Sequence, residues 1–275
     1  MLTQNLPHNK ICKSYIDGDS VLSLSHQYNT NTRAIQKILD DNYIPKVTQA
    51  KRFNPSLNED YFNTIDTKEK AYWIGLILAD GCVYNNSLQI SLQENDKYIL
   101  ELLQNDLGLQ NHIKIFNKEY FRFDIGSKKI CNDLKQYGIV PNKTMSLNFP
   151  QNIPKEFQTH LLRGMFDGDG GLTIGNATRF YKHRNKYYTK PYQELSYTGT
   201  YDMCQGFHDT LQKYVDFNSK SIKHNHSIYR VRWSNREEII KILSVLYGNC
   251  NDHFLKRKYL LFQQIKELKE GELYD

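Results

Sequence analysis

The amino-acid sequence predicts an α+β protein made of two similar αββαββα halves, with a small all-α unit in front of them. The first observation is a pair of segments, YWIGLILADGC (72–82) and LLRGMFDGDGG (161–171), which repeat a central glycine and a final Asp-Gly 89 residues apart. The second is the hydrophobic pattern from Asp66 onward, which indicates helix, strand, strand, helix, strand, strand, helix, and then the same order again. The third is helical periodicity within residues 1–50.

Composition excludes several classes of protein. The chain has 275 residues and a formal net charge of +6, a mild indication of a polyanionic partner. Its five cysteines are scattered and form no CxxC pair, so neither a disulfide framework nor a four-ligand zinc site is expected. There is no apolar run of the roughly 18–20 residues that span a bilayer, and no secretory signal. We therefore expect a soluble intracellular protein without a membrane partner, in a bacterial or phage-infected cell or an organelle.

Residues 1–50 are predicted to form a helix-turn-helix-like domain. One helix ends near Ile16, a second covers 20–28, and a third covers 31–41 after a tight turn. In a helix-turn-helix the last of these helices presents polar side chains to base edges and phosphates. The DNA-binding residues predicted there are Arg33, Gln36 and Lys37. The pattern also fits a three-helix interaction module or a packing appendage, and residues 51–60 are expected to be a linker.

The two αββαββα halves are predicted over residues 61–153 and 154–275. The leading helix of the first half is expected over 67–80, with Asp66 and Glu69 as its N-cap pair. The distance between the closing glycines of the two halves exceeds the distance between the two motifs. The second half is therefore expected to carry an insertion at about 176–193.

Each leading helix carries two small residues on one face. They are Gly75 and Ala79 in the first helix, and Gly164 and Gly168 in the second. A glycine inside a helix costs about 1 kcal/mol relative to alanine, so we expect these residues to allow close packing of the two helices, as small residues do elsewhere. Gly81 and Gly170 are expected at the C′ position that ends each helix.

Asp80 and Asp169 end the same two helices, where the helix dipole disfavours a negative charge. If the helices pack face to face, the two carboxylates also converge and resist joint ionisation. A divalent cation relieves both penalties, because Mg²⁺ takes carboxylate oxygens and stabilises the oxygens of a phosphodiester displacement. The pattern predicts a metal site formed by both halves.

WIGLILADG (73–81) and LRGMFDGDG (162–170) resemble the two copies of the LAGLIDADG motif of homing endonucleases. Each copy agrees at the central glycine and the final Asp-Gly, with a small residue before that aspartate. The resemblance covers roughly 60–270. It implies two halves that form a DNA-binding saddle in a monomer. It also implies a free-standing or intron-encoded endonuclease that cuts both strands of double-stranded DNA at a long target with Mg²⁺, or with Mn²⁺ in its place.

The resemblance also suggests roles for individual residues. It makes Asp80 and Asp169 the metal-binding catalytic acids, whereas Asp167 is assigned no catalytic role because Leu78 stands at its position in the first copy. A lysine from each half often assists the chemistry in this family. The nominated lysines are Lys143 and Lys258, with Lys256 as the rival in the second half. Gln89, on the strand after the first motif, is expected to face DNA and position a water molecule.

Cations in the second half are predicted to contact DNA. The insertion, TRFYKHRNKYYTKPY (178–192), contains no acid and is expected to be a basic, aromatic hairpin that contacts phosphates; a flexible solvated loop is the alternative. Its cations are Arg179, Lys182, Arg184, Lys186 and Lys190, which we call the hairpin cations. The segment IKHNHSIYRVRW (222–233) adds Lys223, Arg230 and Arg232.

Two other interpretations of these motifs compete with the nuclease. A calcium loop fails for DGDGG, because counting from Asp167 places Gly171 and Thr178 at positions that require ligands. A non-cleaving DNA-binding regulator or an RNA maturase on the same fold stays open as the alternative, and the N-terminal helices favour it. The two acids favour the nuclease, because a pure binder gains nothing from a pair of repelling carboxylates.

Overall fold

The structure is a computed structural model, and it describes residues 6–218 and 220–268. The chain divides into two compact units, Met1–Leu57 and Asn58–Asp275. Within the described residues, no helix has the length and apolar character needed to cross a membrane.

The first unit is helical. Its helices are α1 (His8–Ile16), α2 (Val21–Gln27), α3 (Thr32–Asp41) and α4 (Gln49–Phe53). The Ser20 and Asn31 side chains cap α2 and α3 by accepting hydrogen bonds from backbone amides three residues later. The core contains Ile11, Leu24 and Ile35, each fully buried. Helix α4 lies partly inside the segment expected to be a linker.

The turn between α2 and α3 has the geometry of a tight helix–helix connection. Asn29 adopts a left-handed conformation with φ 48°, and the amide of Thr30 donates to the carbonyl of Ser25. Ser25 is 2% exposed, so a small residue occupies the helix crossing. The three-helix arrangement expected from the sequence is present.

The second unit consists of two halves with the same order of elements. The first half contains α5 (Lys68–Asp80), β1 (Gly81–Tyr84), β2 (Ser87–Gln93), α6 (Lys97–Asp106), β3 (Ile113–Asn117), β4 (Tyr120–Gly126) and α7 (Lys128–Lys135). The second half contains α8 (Gln158–Asp169), β5 (Gly170–Tyr181), β6 (Lys186–Gly199), α9 (Tyr201–Gln212), β7 (Lys223–Asn225), β8 (Ile228–Trp233) and α10 (Arg236–Tyr247), followed by α11 (Lys256–Glu267).

Each half folds into a four-stranded antiparallel sheet, with strand orders β1-β2-β4-β3 and β5-β6-β8-β7. The register is also repeated, because Gly81 pairs with Ile90 where β1 begins and Gly170 pairs with Tyr197 where β5 begins. One face of each sheet is buried under the helices of its half, as for Phe123 and Trp233, and the other face is open. The predicted α+β fold with two αββαββα halves is confirmed.

The two halves differ in one hairpin. Strands β5 and β6 have 12 and 14 residues, whereas β1 and β2 have 4 and 7. At about 3.3 Å per residue, the six residues 176–181 add roughly 20 Å of strand. The expected insertion is therefore a continuous extension of the sheet, which pairs residue by residue from Gly170↔Tyr197 to Tyr181↔Lys186.

The N-cap predicted for the first leading helix was wrong, and one helix was not predicted. Helix α5 is capped by Thr67, whose hydroxyl accepts from the amide of Lys70, whereas Asp66 forms an ion pair with the side chain of Lys70. Glu69 accepts a hydrogen bond from the side chain of Asn251 and takes no part in the cap. The helix α11 was not expected, because the first half contains no counterpart to it.

Candidate functional site

Helices α5 and α8 pack with their backbones in contact. A Cβ atom on Gly75 would lie 2.2 Å from the carbonyl oxygen of Leu161, and a Cβ on Gly164 would lie 2.1 Å from the carbonyl oxygen of Tyr72. Both distances are far below any contact that a side chain makes. The relation is reciprocal, since the glycine of each half faces the backbone of the other. This contact brings the two helix ends side by side.

The close approach continues to the end of the helices. A Cβ on Gly168 would lie 2.2 Å from the Cβ of Ala79 and 3.1 Å from Oδ2 of Asp80. The four small residues predicted for the helix interface are therefore in it. The carboxylate of Asp80 lies directly beside the last turn of the partner helix.

The glycines that follow the two helices have a different role from the one expected. Gly81 and Gly170 have φ of −82° and −80°, which is extended backbone and not the left-handed C′ conformation. A Cβ there would lie 2.5 Å from Cγ2 of Ile77 or 2.2 Å from Cδ2 of Phe166. Glycine is needed because the chain passes directly from each helix into a strand, and a side chain at this position would clash with the last turn of that helix.

Asp80 and Asp169 are the last residues of α5 and α8, and each keeps solvent-exposed surface although protein atoms surround most of its carboxyl group. The surrounding protein raises the pKa of both carboxyls. For Asp169 burial and then the charge of Asp80 raise the pKa to about 6, against the opposing effects of Lys143 and Lys258. For Asp80 burial raises the pKa, and Lys258 and Lys143 oppose the shift. The same two lysines therefore act on both carboxyls, and the charge of Asp80 acts on Asp169 as well.

Lys143 reaches the end of α5 from the turn Lys143–Met145. Its side chain is 7% exposed, and Nζ donates to the carbonyl oxygen of Leu78 at 2.8 Å. That carbonyl lies in the last turn of α5, where helix carbonyls lack a partner in the helix. Burial lowers the pKa of Lys143, and Asp169 opposes the shift. A buried cation thus neutralises part of the negative charge at this end.

Lys258 is the buried cation at the end of α8. It lies in the first turn of α11, is 4% exposed, and donates to the carbonyl oxygens of Phe166 at 2.5 Å, Asp167 at 2.7 Å and Gly170 at 2.5 Å. Burial lowers the pKa of Lys258 to about 8, although Asp167 opposes the shift. Neither nominated lysine is a surface lysine, so each is held in place by the fold.

Lys256 is placed elsewhere. Its side chain is exposed, and Nζ lies 4.4 Å from the centre of the Tyr98 ring. Of the two lysines considered for the second half, the structure brings Lys258 to the acids.

Asp167 is fully buried, with 0% exposure. Its carboxylate accepts hydrogen bonds from Tyr72, Tyr247 and the amide of Leu255. Burial raises its pKa. Its burial keeps this carboxylate out of direct contact with a substrate. No local pattern in the sequence indicates its partners, which lie 80 or more residues away along the chain.

A small cleft opens beside the acids. It has a volume of about 160 Å³ and is lined by Lys143, Asp169, Thr198, Thr200 and Met203, among others. Among residues 6–218 and 220–268, no group of three or more His, Cys, Asp or Glu side chains is placed to hold a metal ion. The described part of the chain thus offers two carboxylates as hard oxygen ligands at this point.

Gln89 lies on the open face of the first sheet, opposite Cys82 on β1. Its side-chain amide donates to Oδ2 of Asp124 on β4 at 2.9 Å. Gln89 is therefore held by a neighbouring acid that the sequence reasoning did not nominate, although the alternation of β4 places Asp124 on the same face.

The open face of the second sheet is basic. Lys223 pairs directly with Arg230, and Arg232 follows on the same face of β8. Glu194 on β6 forms ion pairs with Arg230 at 2.8 Å and with Arg232 at 3.3 Å, and it was not nominated from the sequence. A groove of about 540 Å³ follows this face. Its charged lining residues are Arg179, Glu194, Lys220, Lys223, Arg230 and Arg232.

The hairpin cations are all exposed. Arg179 pairs with Tyr188, and Arg184 and Lys186 lie within 6 Å of the Tyr188 ring. On the other face of the hairpin, Phe180 packs against Tyr187 with ring centres 4.9 Å apart. The extension is therefore a folded hairpin with cations and aromatic rings.

In the first unit, the predicted residues of α3 share one open surface. Arg33 and Lys37 are exposed, Gln36 is partly so, and all three line a shallow surface groove. Asp40 and Asp41 line the same groove. The surface is polar and of mixed charge.

Known proteins share the structure of this chain at low sequence identity. No protein-family model and no curated protein matches this sequence. The LAGLIDADG meganuclease I-AabMI bound to uncleaved DNA has a similar structure, with a TM-score of 0.50 and 18% identity over 71% of this chain and 88% of that chain. A mutant of I-SmaMI with two lysines changed to alanine gives a TM-score of 0.51 and 14% identity over 72% of this chain and 89% of that chain.

The protein therefore has the fold of the LAGLIDADG meganucleases, a class of DNA endonucleases. The resemblance predicted from the two motifs is confirmed at the level of the fold.

Proposed function

We propose that this protein is a site-specific homing endonuclease of the LAGLIDADG family that cuts both strands of double-stranded DNA at a long target, as a monomer. The observation that carries the proposal is the pair of solvent-accessible carboxylates, Asp80 and Asp169, at the adjoining ends of α5 and α8, each beside a buried lysine. The structure of I-AabMI in complex with DNA supports a DNA substrate for this fold.

The donor set fits a hard divalent cation. Asp80 is close enough for its charge to raise the pKa of Asp169, and carboxylate oxygens are the ligands that Mg²⁺ prefers while it retains several waters. In this proposal both aspartates hold Mg²⁺, or Mn²⁺ in its place. When bound, the metal stabilises negative charge on the attacking and leaving oxygens of the phosphodiester.

The lysines act on the same charges. Lys143 and Lys258 each bind carbonyl oxygens at a helix end, so their ammonium groups are fixed and pay little entropy during the reaction. They offset the negative helix ends and the two carboxylates, and they stabilise the charge that develops on the scissile phosphate. Gln89, which donates to Asp124, is proposed to orient a water molecule at the open sheet face.

DNA binding is assigned to the open sheet faces and to the hairpin cations. Exposed arginine and lysine side chains neutralise phosphates and supply affinity that depends on salt. Specificity comes from contacts to base edges, for which the second sheet offers Arg230 and Arg232. Arg33, Gln36 and Lys37 on α3 are proposed to extend the recognised site.

The alternative is a non-cleaving DNA-binding regulator or an RNA maturase on the same fold. The polar residues of α3 favour it if they bind DNA or RNA, because a regulator needs binding without cleavage. The solvent-accessible acid pair favours the nuclease.

The test is a cleavage assay on a randomised DNA library with Mg²⁺. The wild type is expected to cut both strands at a recurrent long site, and Asp80→Asn and Asp169→Asn are expected to bind that site without cutting it. The matched control is Asp216→Asn, an exposed aspartate in the loop after α9, which is expected to cut normally.

The outcomes separate the two candidates. Salt-sensitive binding without cleavage by the wild type would refute the nuclease and favour the regulator or maturase, with RNA as the next ligand. Full cleavage by either aspartate variant would refute the assigned metal site.

A further inference from the structure

The buried carboxylate of Asp167 has a defined set of partners. Its Oδ1 accepts from the hydroxyl of Tyr247 at 2.8 Å. Its Oδ2 accepts from the hydroxyl of Tyr72 at 3.1 Å and from the amide of Leu255 at 2.9 Å. The corresponding position of the first motif is Leu78, so the second half alone has an acid here. Three donors thus compensate a buried group that is costly to desolvate.

These partners lie on three different helices or their ends. Tyr72 belongs to α5, Tyr247 is the last residue of α10, and Leu255 is the N-cap residue of α11. No side chain of α11 itself caps this helix. The carboxylate of Asp167 lies at its N-terminus, where a negative charge is favourable. Asp167 therefore ties the start of α11 to the end of α8.

Lys258 follows one turn later and points back to the same place. Its amide donates to the carbonyl of Leu255, and its Nζ donates to the main-chain oxygen of Asp167 and to those of Phe166 and Gly170. The side chain of Asp167 holds the first residue of the turn, and its main chain receives the lysine. The position of Nζ depends on this closed arrangement.

In the first half, the lysine is held in a different way. There Lys143 comes from a turn and donates to the carbonyl of Leu78 alone. No helix start has to be fixed, and an apolar leucine fills the position of the acid. The buried acid therefore accompanies the helix that delivers the lysine.

We propose that Asp167 is a positioning residue, which fixes the start of α11 and so places Nζ of Lys258 at the end of α8. The consequence for cleavage rests on the proposed function, whereas the placement of Lys258 does not.

The placement is tested by acetylation of the full-length protein with an N-hydroxysuccinimide ester, followed by peptide mass spectrometry. In Asp167→Asn the acetylation rate of Lys258 is expected to rise about fivefold, the factor that corresponds to one hydrogen bond of ordinary strength. Lys143 is the internal reference and is expected to keep its rate. Tyr247→Phe, which removes one partner, is expected to act in the same direction, whereas Tyr137→Phe, a buried tyrosine of the first half, is not.

Two results would overturn the proposal. One is a rate for Lys258 that stays at the wild-type value in both Asp167→Asn and Tyr247→Phe. The other is an equal rise for Lys258 and Lys143, which would show general loosening of the fold. Should Asp167→Asn fail to fold, Tyr247→Phe alone decides the question.

A second measurement follows the two strands of an end-labelled target separately. Asp167→Asn and Lys258→Met are expected to slow the same strand more than the other, with unchanged DNA affinity, and Lys143→Met is expected to slow the opposite strand more. Equal slowing of both strands in Asp167→Asn would contradict a role through Lys258. If the wild type cuts no DNA, the proposed function fails, and the acetylation result still decides the role of Asp167.

Discussion

The backbone contact between α5 and α8 gives a prediction with a calculable size. In Gly164→Ala the new Cβ would lie 2.1 Å from the carbonyl oxygen of Tyr72 and 2.8 Å from the amide nitrogen of Leu76. Ordinary contacts of this kind are about 3.5 Å, so the helices would have to separate by roughly 1.4 Å. Neither atom can rotate away, because both belong to a helix backbone.

The cost is the balance of two terms. Overpacking of a tight core costs about 1–3 kcal/mol, and the upper value applies where backbone must move. Alanine returns about 1 kcal/mol through its higher helix propensity. The net loss is about 2 kcal/mol, which lowers the melting temperature of a unit of this size by about 4–8 °C.

Tryptophan fluorescence is the suitable assay. The chain has two tryptophans, Trp73 and Trp233, and both are fully buried in the second unit, so the signal reports that unit. The matched control is Gly175→Ala, whose Cβ would meet nothing within 4 Å and which is expected to melt like the wild type. Equal or higher stability of Gly164→Ala would refute the reasoning that the interface requires glycine.

The remaining predictions concern charge. Burial and Asp80 raise the pKa of Asp169 to about 6, so its ionised form is disfavoured in the folded state. Without metal, Asp169→Asn should melt above the wild type at pH 8, and the difference should vanish below about pH 4, where the acid is protonated in both states; a difference independent of pH would contradict this. Replacing Arg33 and Lys37, or the hairpin cations, by alanine should reduce the slope of log affinity against log salt by about 0.9 per lost phosphate contact. Lys13→Ala on α1 is the control. An unchanged slope would show that the replaced residues do not contact DNA phosphates.

The features that could be predicted from the sequence are those set by local pattern. The alternation of apolar and polar residues predicts strand β2. Gly75 and Gly164 predict the helix pairing, because close packing is the main reason for a glycine inside a helix. The left-handed C′ conformation predicted for Gly81 was wrong, because the sequence does not reveal that the chain passes from the helix into a strand without a turn. The sequence predicted Asp66 as the N-cap residue, whereas the structure has Thr67. Both side chains can accept a hydrogen bond from a backbone amide of the first turn, and the sequence does not show which one does.

The features that could not be predicted depend on contacts between distant segments. Lys258 was nominated only by resemblance, and the three carbonyls that bind it belong to a helix end some ninety residues earlier. The helix α11 has no counterpart in the first half, so the repeat gave no guide to it. Glu194, which pairs with two predicted DNA-binding arginines, lies in the insertion's flank and meets them only through sheet pairing.

The long β5–β6 hairpin grows from the open end of the sheet. Its pairing begins at Gly170↔Tyr197 and stays in register to the tip, so residues can be gained or lost there in cross-strand pairs while the base keeps its alignment. Each such pair changes the reach of the hairpin by about 3.3 Å. A gene that encodes this fold can therefore lengthen or shorten one arm through small in-frame insertions and deletions, and the packed helices that carry Asp80 and Asp169 are left untouched.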